Sequence, residues 1–193
     1  KGMKIEGVEF LIKKSYGHRA GLVMRGKNLS EKINSNDPKI TGDTPLKIFS
    51  QDRSEQAEFT ANVLEKFLEK SHRILKNHPL NKKREAKGLP SANYLLVRGA
   101  GKFKETPSFY EKYGLKACCI AGGGLYKGIA KILGMSLINV KGATGLANTD
   151  LKGKFLAAKN AVKKYDFIFL HIKAADTFGE DGDSDGKKRF IEK

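Results

Sequence analysis

The sequence predicts an α/β fold, most clearly in the second half of its 193 residues. Four short apolar runs recur there, and helical segments near 125–134 and 150–164 separate the last three. The runs are YLLVRGAG, KACCIAGG, LINVKG and DFIFLHIK. Because they are continuously apolar rather than alternating, they are typical of strands buried on both faces of a parallel sheet that helices cover.

The first half has a different pattern. Residues 8–25 predict two short strands around a Tyr16-Gly17 turn, and residues 26–52 predict a long loop with little periodicity. Apolar residues at helical spacing predict a helix over 54–77, with Ser54 or Asp52 as its N-cap. A turn-rich basic segment then leads to a boundary near Gly88 and Pro90.

The charge balance narrows the classes of partner. Thirty-seven Lys and Arg against 21 Asp and Glu give a net charge of +16, which favours an anionic partner such as a phosphorylated metabolite. No nucleic-acid recognition signature is present, so we do not expect nucleic acid as a partner. No apolar run reaches membrane-spanning length and no signal peptide is visible, so we expect a cytoplasmic protein without a membrane partner.

Acidic residues follow the most apolar strand. Parallel sheets bind ligands beyond the carboxyl ends of their strands, and Asp176 and Glu180 come just after DFIFLHIK. Carboxylates on a tight loop there suit a hard divalent cation, with Asp181 and Asp183 as further candidates. The stretch from Asp181 to Glu192 also satisfies the calcium-loop expression, although a strand rather than a helix precedes it. A solvated acidic loop is the plainer alternative.

Basic residues supply candidate anion ligands. In IAGGGLYKGIAK a strand runs through three glycines into a helix, an arrangement that offers backbone N–H groups to a phosphate, and Lys127 lies at the start of that helix. Arg19 and Arg25 bracket the second strand, with a spacing that places both on one face. Paired guanidinium groups suit a carboxylate or a phosphate.

Several motifs in one order resemble a known family. HRAGLVMRG, NHPLNKKREAKGLPSAN, RGAGKFKETPSFYEKYGLKACCIAGGG, KGATGLANTDLKGK and DFIFLHIKAADTFGEDGD are together similar to the archaeal-type, cofactor-independent phosphoglycerate mutases of the alkaline phosphatase superfamily. The resemblance runs along the whole chain.

The resemblance implies an α/β architecture: part of an alkaline-phosphatase-like parallel-sheet core with helices on both faces, at 93–193, and an inserted α+β domain that clamps the substrate, at 1–92. It implies interconversion of 3- and 2-phosphoglycerate through a phosphoserine, with two divalent metals (Mn²⁺, Mg²⁺ or Co²⁺) and without 2,3-bisphosphoglycerate. Family members are longer at both ends, so the chain resembles an internal fragment. No catalytic nucleophile is assigned in it, and we expect it to be inactive alone.

Site residues carry over position by position. Asp176 matches the metal-binding aspartate of a D-x-x-G-H motif whose histidine is Glu180 here, and the family's D-P-H reads Asp37-Pro38-Lys39. The resemblance implies that Arg19, Arg25 and Arg98 bind substrate carboxylate or phosphate, and that Lys127 lies beside the transferring phosphoryl group. The two departures keep open a diverged, non-catalytic binding or regulatory paralogue, and a phosphatase on the same fold is the second alternative. The sequence does not fix the oligomeric state.

Overall fold

The chain folds into two compact units. The structure, a computed structural model, describes residues 2–15 and 17–193. The first unit comprises Lys1–Ile12 and Leu22–Phe103, and the second comprises Lys13–Gly21 and Lys104–Lys193. Tyr16 of the predicted Tyr16-Gly17 turn lies outside the described residues. The assignment of residues 1–92 to a clamp and 93–193 to a core stays a prediction.

Three strands and two helices begin the chain. They are β1 (Met3–Ile5), β2 (Val8–Lys14), β3 (Ala20–Arg25), α1 (Glu55–Lys76) and α2 (Pro79–Glu85). The strands form a sheet in the order β1-β2-β3, with β1 and β2 antiparallel. The two predicted strands within 8–25 are therefore confirmed, and β1 adds a third.

Helix α1 confirms the helix predicted over 54–77. Ser54 is the N-cap, and its side chain accepts a hydrogen bond from the Ala57 N–H at 3.3 Å. Asp52, the other predicted cap, instead accepts from the Ser54 N–H at 3.0 Å. Ser54 thus caps the helix, and Asp52 holds the backbone of Ser54 in place.

The core of the first unit lies between α1 and the sheet. The rings of Phe10 from β2 and Phe67 from α1 stack with centroids 4.3 Å apart and planes within 1°. Both side chains are almost completely buried. Because α1 and β2 each present an apolar face, this ring contact packs the helix against the sheet.

A buried amide organises the predicted loop over 26–52. The loop is irregular apart from one bridge between Ile33 and Ser50. Within it Asn36 is fully buried. Its side-chain Nδ2 donates to the Leu95 carbonyl at 3.1 Å, and its Oδ1 accepts from the Val97 N–H at 2.6 Å.

The strand predicted at YLLVRGAG is wrong. Residues 94–101 are irregular, because the backbone of Leu95 and Val97 bonds to the side chain of Asn36 rather than to a neighbouring strand. The side chains of Leu95 and Val97 pack against the core of the first unit. The apolar run therefore marks burial but not a strand of the parallel sheet.

The second unit contains the predicted parallel sheet. Its elements are α3 (Phe109–Tyr113), β4 (Ala117–Ile120), α4 (Gly124–Ile132), β5 (Ser136–Leu137), α5 (Leu151–Ala161), β6 (Phe167–Leu170), α6 (Ala174–Glu180) and α7 (Ser184–Ile191). The strand order is β5-β4-β6, and both pairings are parallel. The α/β fold class is confirmed. Only the central strand β4 is buried at every residue, whereas β6 alternates between exposed and half-buried residues.

Within residues 2–15 and 17–193, no helix is both long and apolar enough to cross a membrane.

We predict that Phe67→Ala lowers the free energy of unfolding by about 3–5 kcal/mol, because it removes the stacked ring and leaves a cavity between α1 and β2. Urea unfolding followed by circular dichroism measures this loss. Ile74→Ala, at an exposed position of the same helix, serves as the control and should cost less than about 1 kcal/mol. Equal losses in the two variants would contradict the assignment of the core.

Candidate functional site

Three loops of the second unit begin at one edge of the parallel sheet. Strands β4, β5 and β6 end at Ile120, Leu137 and Leu170. Backbone hydrogen bonds continue just past these ends, because the Ile138 N–H donates to the Cys119 carbonyl and the His171 N–H donates to the Ile120 carbonyl, each at 2.9 Å. The loops after all three strands therefore leave from the carboxyl edge, where parallel sheets bind their ligands.

The glycine-rich loop after β4 packs closely against the loop after β5. A Cβ at Gly122 would lie 2.2 Å from the carbonyl carbon and oxygen of Thr144, so only glycine fits there. Gly123 is the N-cap of α4 and supplies no side-chain cap. The first backbone N–H groups of α4 are thus free of side-chain capping, as the sequence pattern predicted for an anion-binding turn.

Two predicted basic residues lie near this turn. Lys127 is half-buried in the first turn of α4, and its Nζ lies 3.4 Å from Asn139 Oδ1. The tip of the β2–β3 hairpin also approaches α4, because a Cβ at Gly124 would lie 3.5 Å from Ser15 Oγ. The Ser15 N–H donates to the Arg19 carbonyl at 3.0 Å. The structure therefore places the segment that carries Arg19 beside the start of α4.

A buried lysine lies behind the same loops. Lys154, on α5, is fully buried, and its Nζ donates to the carbonyls of Thr144 at 3.3 Å and His171 at 3.1 Å. None of the ion pairs in the described ranges includes it. The sequence reasoning did not single out Lys154. The available signal was its place on the helical stripe shared with Ala158 and Ala161, a stripe that faces the core.

The ring of His171 adds to this cluster. It stacks on Tyr126 of α4 with centroids 3.4 Å apart. Burial lowers the pKa of His171, and the positive charges of Lys154 and Lys173 lower it further. Burial also lowers the pKa of Lys154, with a smaller contribution from Lys127. The loops after β4 and β6 thus enclose basic groups that repel one another, which is a favourable setting for an anion.

The acidic residues after β6 lie on a helix rather than on the predicted loop. Asp176 and Glu180 are four residues apart on α6, so their side chains share one face of the helix. Both residues are exposed, and Asp176 forms an ion pair with Lys173. The loop prediction is wrong: the irregular segment after β6 is limited to residues 171–173, and helix α6 begins at Ala174.

The wider acidic stretch does not converge. Asp183 is the N-cap of α7, and its Oδ1 accepts a hydrogen bond from the Gly186 N–H at 2.7 Å. Within residues 2–15 and 17–193, no three His, Cys, Asp or Glu side chains gather as a metal site. The pair Asp176 and Glu180 offers hard oxygen donors that fit a divalent cation, and it supplies two ligands rather than a full set.

The first unit carries the other two predicted arginines. Arg98 Nη1 pairs with Asp37 Oδ2 at 3.1 Å. Both line a groove of about 580 Å³, together with residues 38–43, Pro45, residues 91–94 and Leu96. Arg25 is exposed at the end of β3. The roles of Arg19, Arg25, Arg98, Lys127, Asp176 and Glu180 stay predictions.

We predict that His171 titrates below its ordinary pKa of 6.5. Between the folded and unfolded pKa values the unfolded chain holds more protons on this ring, so stability falls as the pH drops below 6.5 and levels off below the folded pKa. NMR titration of the ring measures the pKa. Urea unfolding between about pH 8 and pH 5 measures the stability, and His171→Gln should show a shallower pH dependence. A ring that titrates above 6.5 would contradict the assigned environment.

Comparisons with known proteins bear on this site. The chain is 46% identical over 186 residues to 2,3-bisphosphoglycerate-independent phosphoglycerate mutase 1 of Archaeoglobus fulgidus, a match that covers 96% of this chain and 46% of the relative. The corresponding enzyme of Methanococcus vannielii is 45% identical over 192 residues, covering 100% of this chain and 47% of the relative. The chain therefore spans about half the length of the curated relatives it matches.

Solved structures and a family model agree with these matches. A cofactor-independent phosphoglycerate mutase from Thermoplasma acidophilum has a TM-score of 0.63 at 33% identity, covering 98% of this chain and 51% of that one. A Pyrococcus horikoshii protein has a TM-score of 0.65 at 36% identity, covering 74% of this chain and 38% of that one. The Metalloenzyme superfamily model matches residues 23–193. The chain therefore belongs to the Metalloenzyme superfamily.

Proposed function

We propose that the complete gene product is a phosphoglycerate mutase that interconverts 3-phosphoglycerate and 2-phosphoglycerate without 2,3-bisphosphoglycerate. The observation that carries this proposal is the 46% identity to an archaeal mutase across 96% of this chain. The proposed reaction is a phosphoryl transfer through a phosphoserine, and its serine is not assigned within this chain. On this proposal the chain is inactive alone, and its full-length form is an isomerase in the cytoplasm.

The loops at the carboxyl edge of the sheet are the proposed phosphoryl site. A phosphoryl group carries negative charge through the transfer, so catalysis depends on donors and positive charge fixed in place beforehand. Lys127 and the uncapped start of α4 offer an ammonium and backbone N–H groups on one helix. The hairpin tip that carries Arg19 lies beside the same turn. We assign Lys127 to the transferring phosphoryl group and Arg19 to the substrate's anionic groups.

Residues 1–92 are the proposed clamp, and Arg98 lies just beyond them. Arg98 pairs with the carboxylate of Asp37 at 3.1 Å, which supports a role in binding a carboxylate that displaces Asp37. A phosphoglycerate carboxylate offers the same chemistry. We assign Arg98 and Arg25 to the substrate carboxylate or phosphate, and a small-molecule phosphoglycerate as the ligand.

Two divalent metals, Mn²⁺, Mg²⁺ or Co²⁺, are part of the proposal. When bound they would neutralise phosphoryl oxygens and activate a hydroxyl. In this chain Asp176 and Glu180 are the residues that would hold a metal, since both are exposed carboxylates on one face of α6. Residues 93–193 would then form part of the metal-bearing core.

Two other functions share the fold. Glu180 and Lys39 stand where the resembling family has histidines, which favours a diverged binding or regulatory paralogue without catalysis. A phosphatase is the second alternative, because a scaffold does not fix the substrate. Assay of the complete gene product with 3-phosphoglycerate, and separately with a generic phosphate ester, distinguishes the three. Formation of 2-phosphoglycerate supports the mutase, hydrolysis of the ester alone supports the phosphatase, and neither activity supports the paralogue.

We predict that Lys127→Met in the complete gene product lowers kcat by about a hundredfold to a thousandfold, because it removes a positive charge beside the transferring group. Steady-state kinetics with 3-phosphoglycerate measure the change. Lys131→Met, an exposed lysine one turn further along α4, should leave kcat within about threefold. A Lys127→Met enzyme with normal kcat would remove Lys127 from the site.

We predict that Asp176→Asn weakens Mn²⁺ binding to the complete gene product by at least about tenfold, since it removes a charged oxygen ligand. Isothermal titration calorimetry measures the affinity. Asp185→Asn removes the same charge from the exposed first turn of α7 and provides the control. Equal Mn²⁺ affinity in the wild type and in Asp176→Asn would show that the metal is held elsewhere.

A further inference from the structure

Lys154 connects the loops that follow β4, β5 and β6 at the carboxyl edge of the sheet. Its Nζ bonds the Thr144 carbonyl, in the loop after β5, and the His171 carbonyl, directly after β6. Thr144 in turn packs on Gly122, in the loop after β4, so tightly that a Cβ there would overlap its carbonyl. One ammonium group therefore connects all three loops, directly or through a single contact.

The connections reach the helices that carry predicted site residues. The His171 ring stacks on Tyr126, which is adjacent to Lys127 on α4. His171 is also two residues from Lys173, the N-cap of α6, the helix of Asp176 and Glu180. Displacement of the His171 backbone would thus move both the proposed phosphoryl-binding helix and the proposed metal-binding helix.

Burying an ammonium group is costly unless its donors are satisfied. Lys154 is fully buried and bonds two neutral carbonyls. It takes part in none of the ion pairs among the residues that the structure describes. An apolar residue at this position of α5 would avoid the free-energy cost of burying a charge. The hydrogen bonds from Lys154 to the two loops explain why a lysine is there instead.

We infer that Lys154 is a positioning residue for the proposed phosphoryl transfer: it fixes the loops after β5 and β6 so that α4 and α6 present their side chains to one substrate. The inference rests on the proposed mutase function. It assigns no contact between Lys154 and the substrate. We expect that loss of the Lys154 donors both loosens the two loops and lowers the turnover rate.

The test compares three variants of the complete gene product. Lys154→Met has a similar volume and no donors, Lys154→Arg keeps N–H donors, and Lys152→Met is the control, an exposed lysine on the same helix. Hydrogen–deuterium exchange reports the order of residues 142–149 and 171–176, with residues 55–76 of α1 as the internal reference. Steady-state kinetics report kcat and KM for 3-phosphoglycerate.

We predict that Lys154→Met speeds exchange in both loops, leaves α1 unchanged, and lowers kcat by about tenfold to a hundredfold with KM little changed, because misplacement of the reacting groups slows the chemical step. Lys152→Met should match the wild type. If Lys154→Met does not fold, Lys154→Arg decides, because loop protection and kcat must be kept or lost together.

Two results would overturn the inference. Faster exchange with a normal kcat in Lys154→Met would indicate that Lys154 has a structural role alone. A reduced kcat with normal exchange would indicate that it acts on the substrate directly. A wild-type protein without mutase activity would refute the proposed function instead. Exchange in the two loops would then still decide whether Lys154 holds them.

Discussion

The loops at the carboxyl edge of the second unit are joined by the two hydrogen bonds that the Lys154 ammonium donates to the carbonyls of Thr144 and His171. A parallel sheet delivers its loops to one edge but does not fix their conformation. Here a single buried donor fixes two of them, and the close contact of Gly122 with Thr144 adds the third. The candidate site is therefore built from loops that lie far apart in the sequence. The Lys154 side chain, from helix α5, connects two of them.

The first unit uses the same physical solution with a neutral side chain. Asn36 is buried and bonds the backbone of Leu95 and Val97, so an irregular segment satisfies its polar groups without a strand partner. Asp37 follows Asn36 directly and pairs with Arg98, which follows Val97. In both units one buried polar side chain thus orders the irregular backbone next to residues predicted to bind substrate, and regular elements such as α1 provide the rigid support.

Much of the fold follows from local pattern, and most of the site does not. Apolar spacing located α1, and continuous apolar runs located β4 and β6, because burial leaves a periodic trace in the sequence. The run at 94–101 left the same trace, yet its partner is an amide 59 residues away in the sequence, which no local pattern encodes. The sequence analysis did not identify Lys154, because lysine side chains are almost always exposed. Only its helical spacing from Ala158 and Ala161 indicates burial. The acidic residues after β6 were expected on a loop, since nothing in their composition signals the short helix α6.

We propose that the carboxyl-edge loops of β4, β5 and β6 form a phosphoryl site. Basic groups cluster there, and they share the edge with the carboxylates of α6. The most direct test is a crystal structure of the complete gene product with 3-phosphoglycerate and Mn²⁺, in which anomalous scattering locates the metal. We predict that the substrate phosphorus lies beside Lys127 Nζ and the start of α4, and that Asp176 binds Mn²⁺. A substrate and metal bound away from these loops would contradict it.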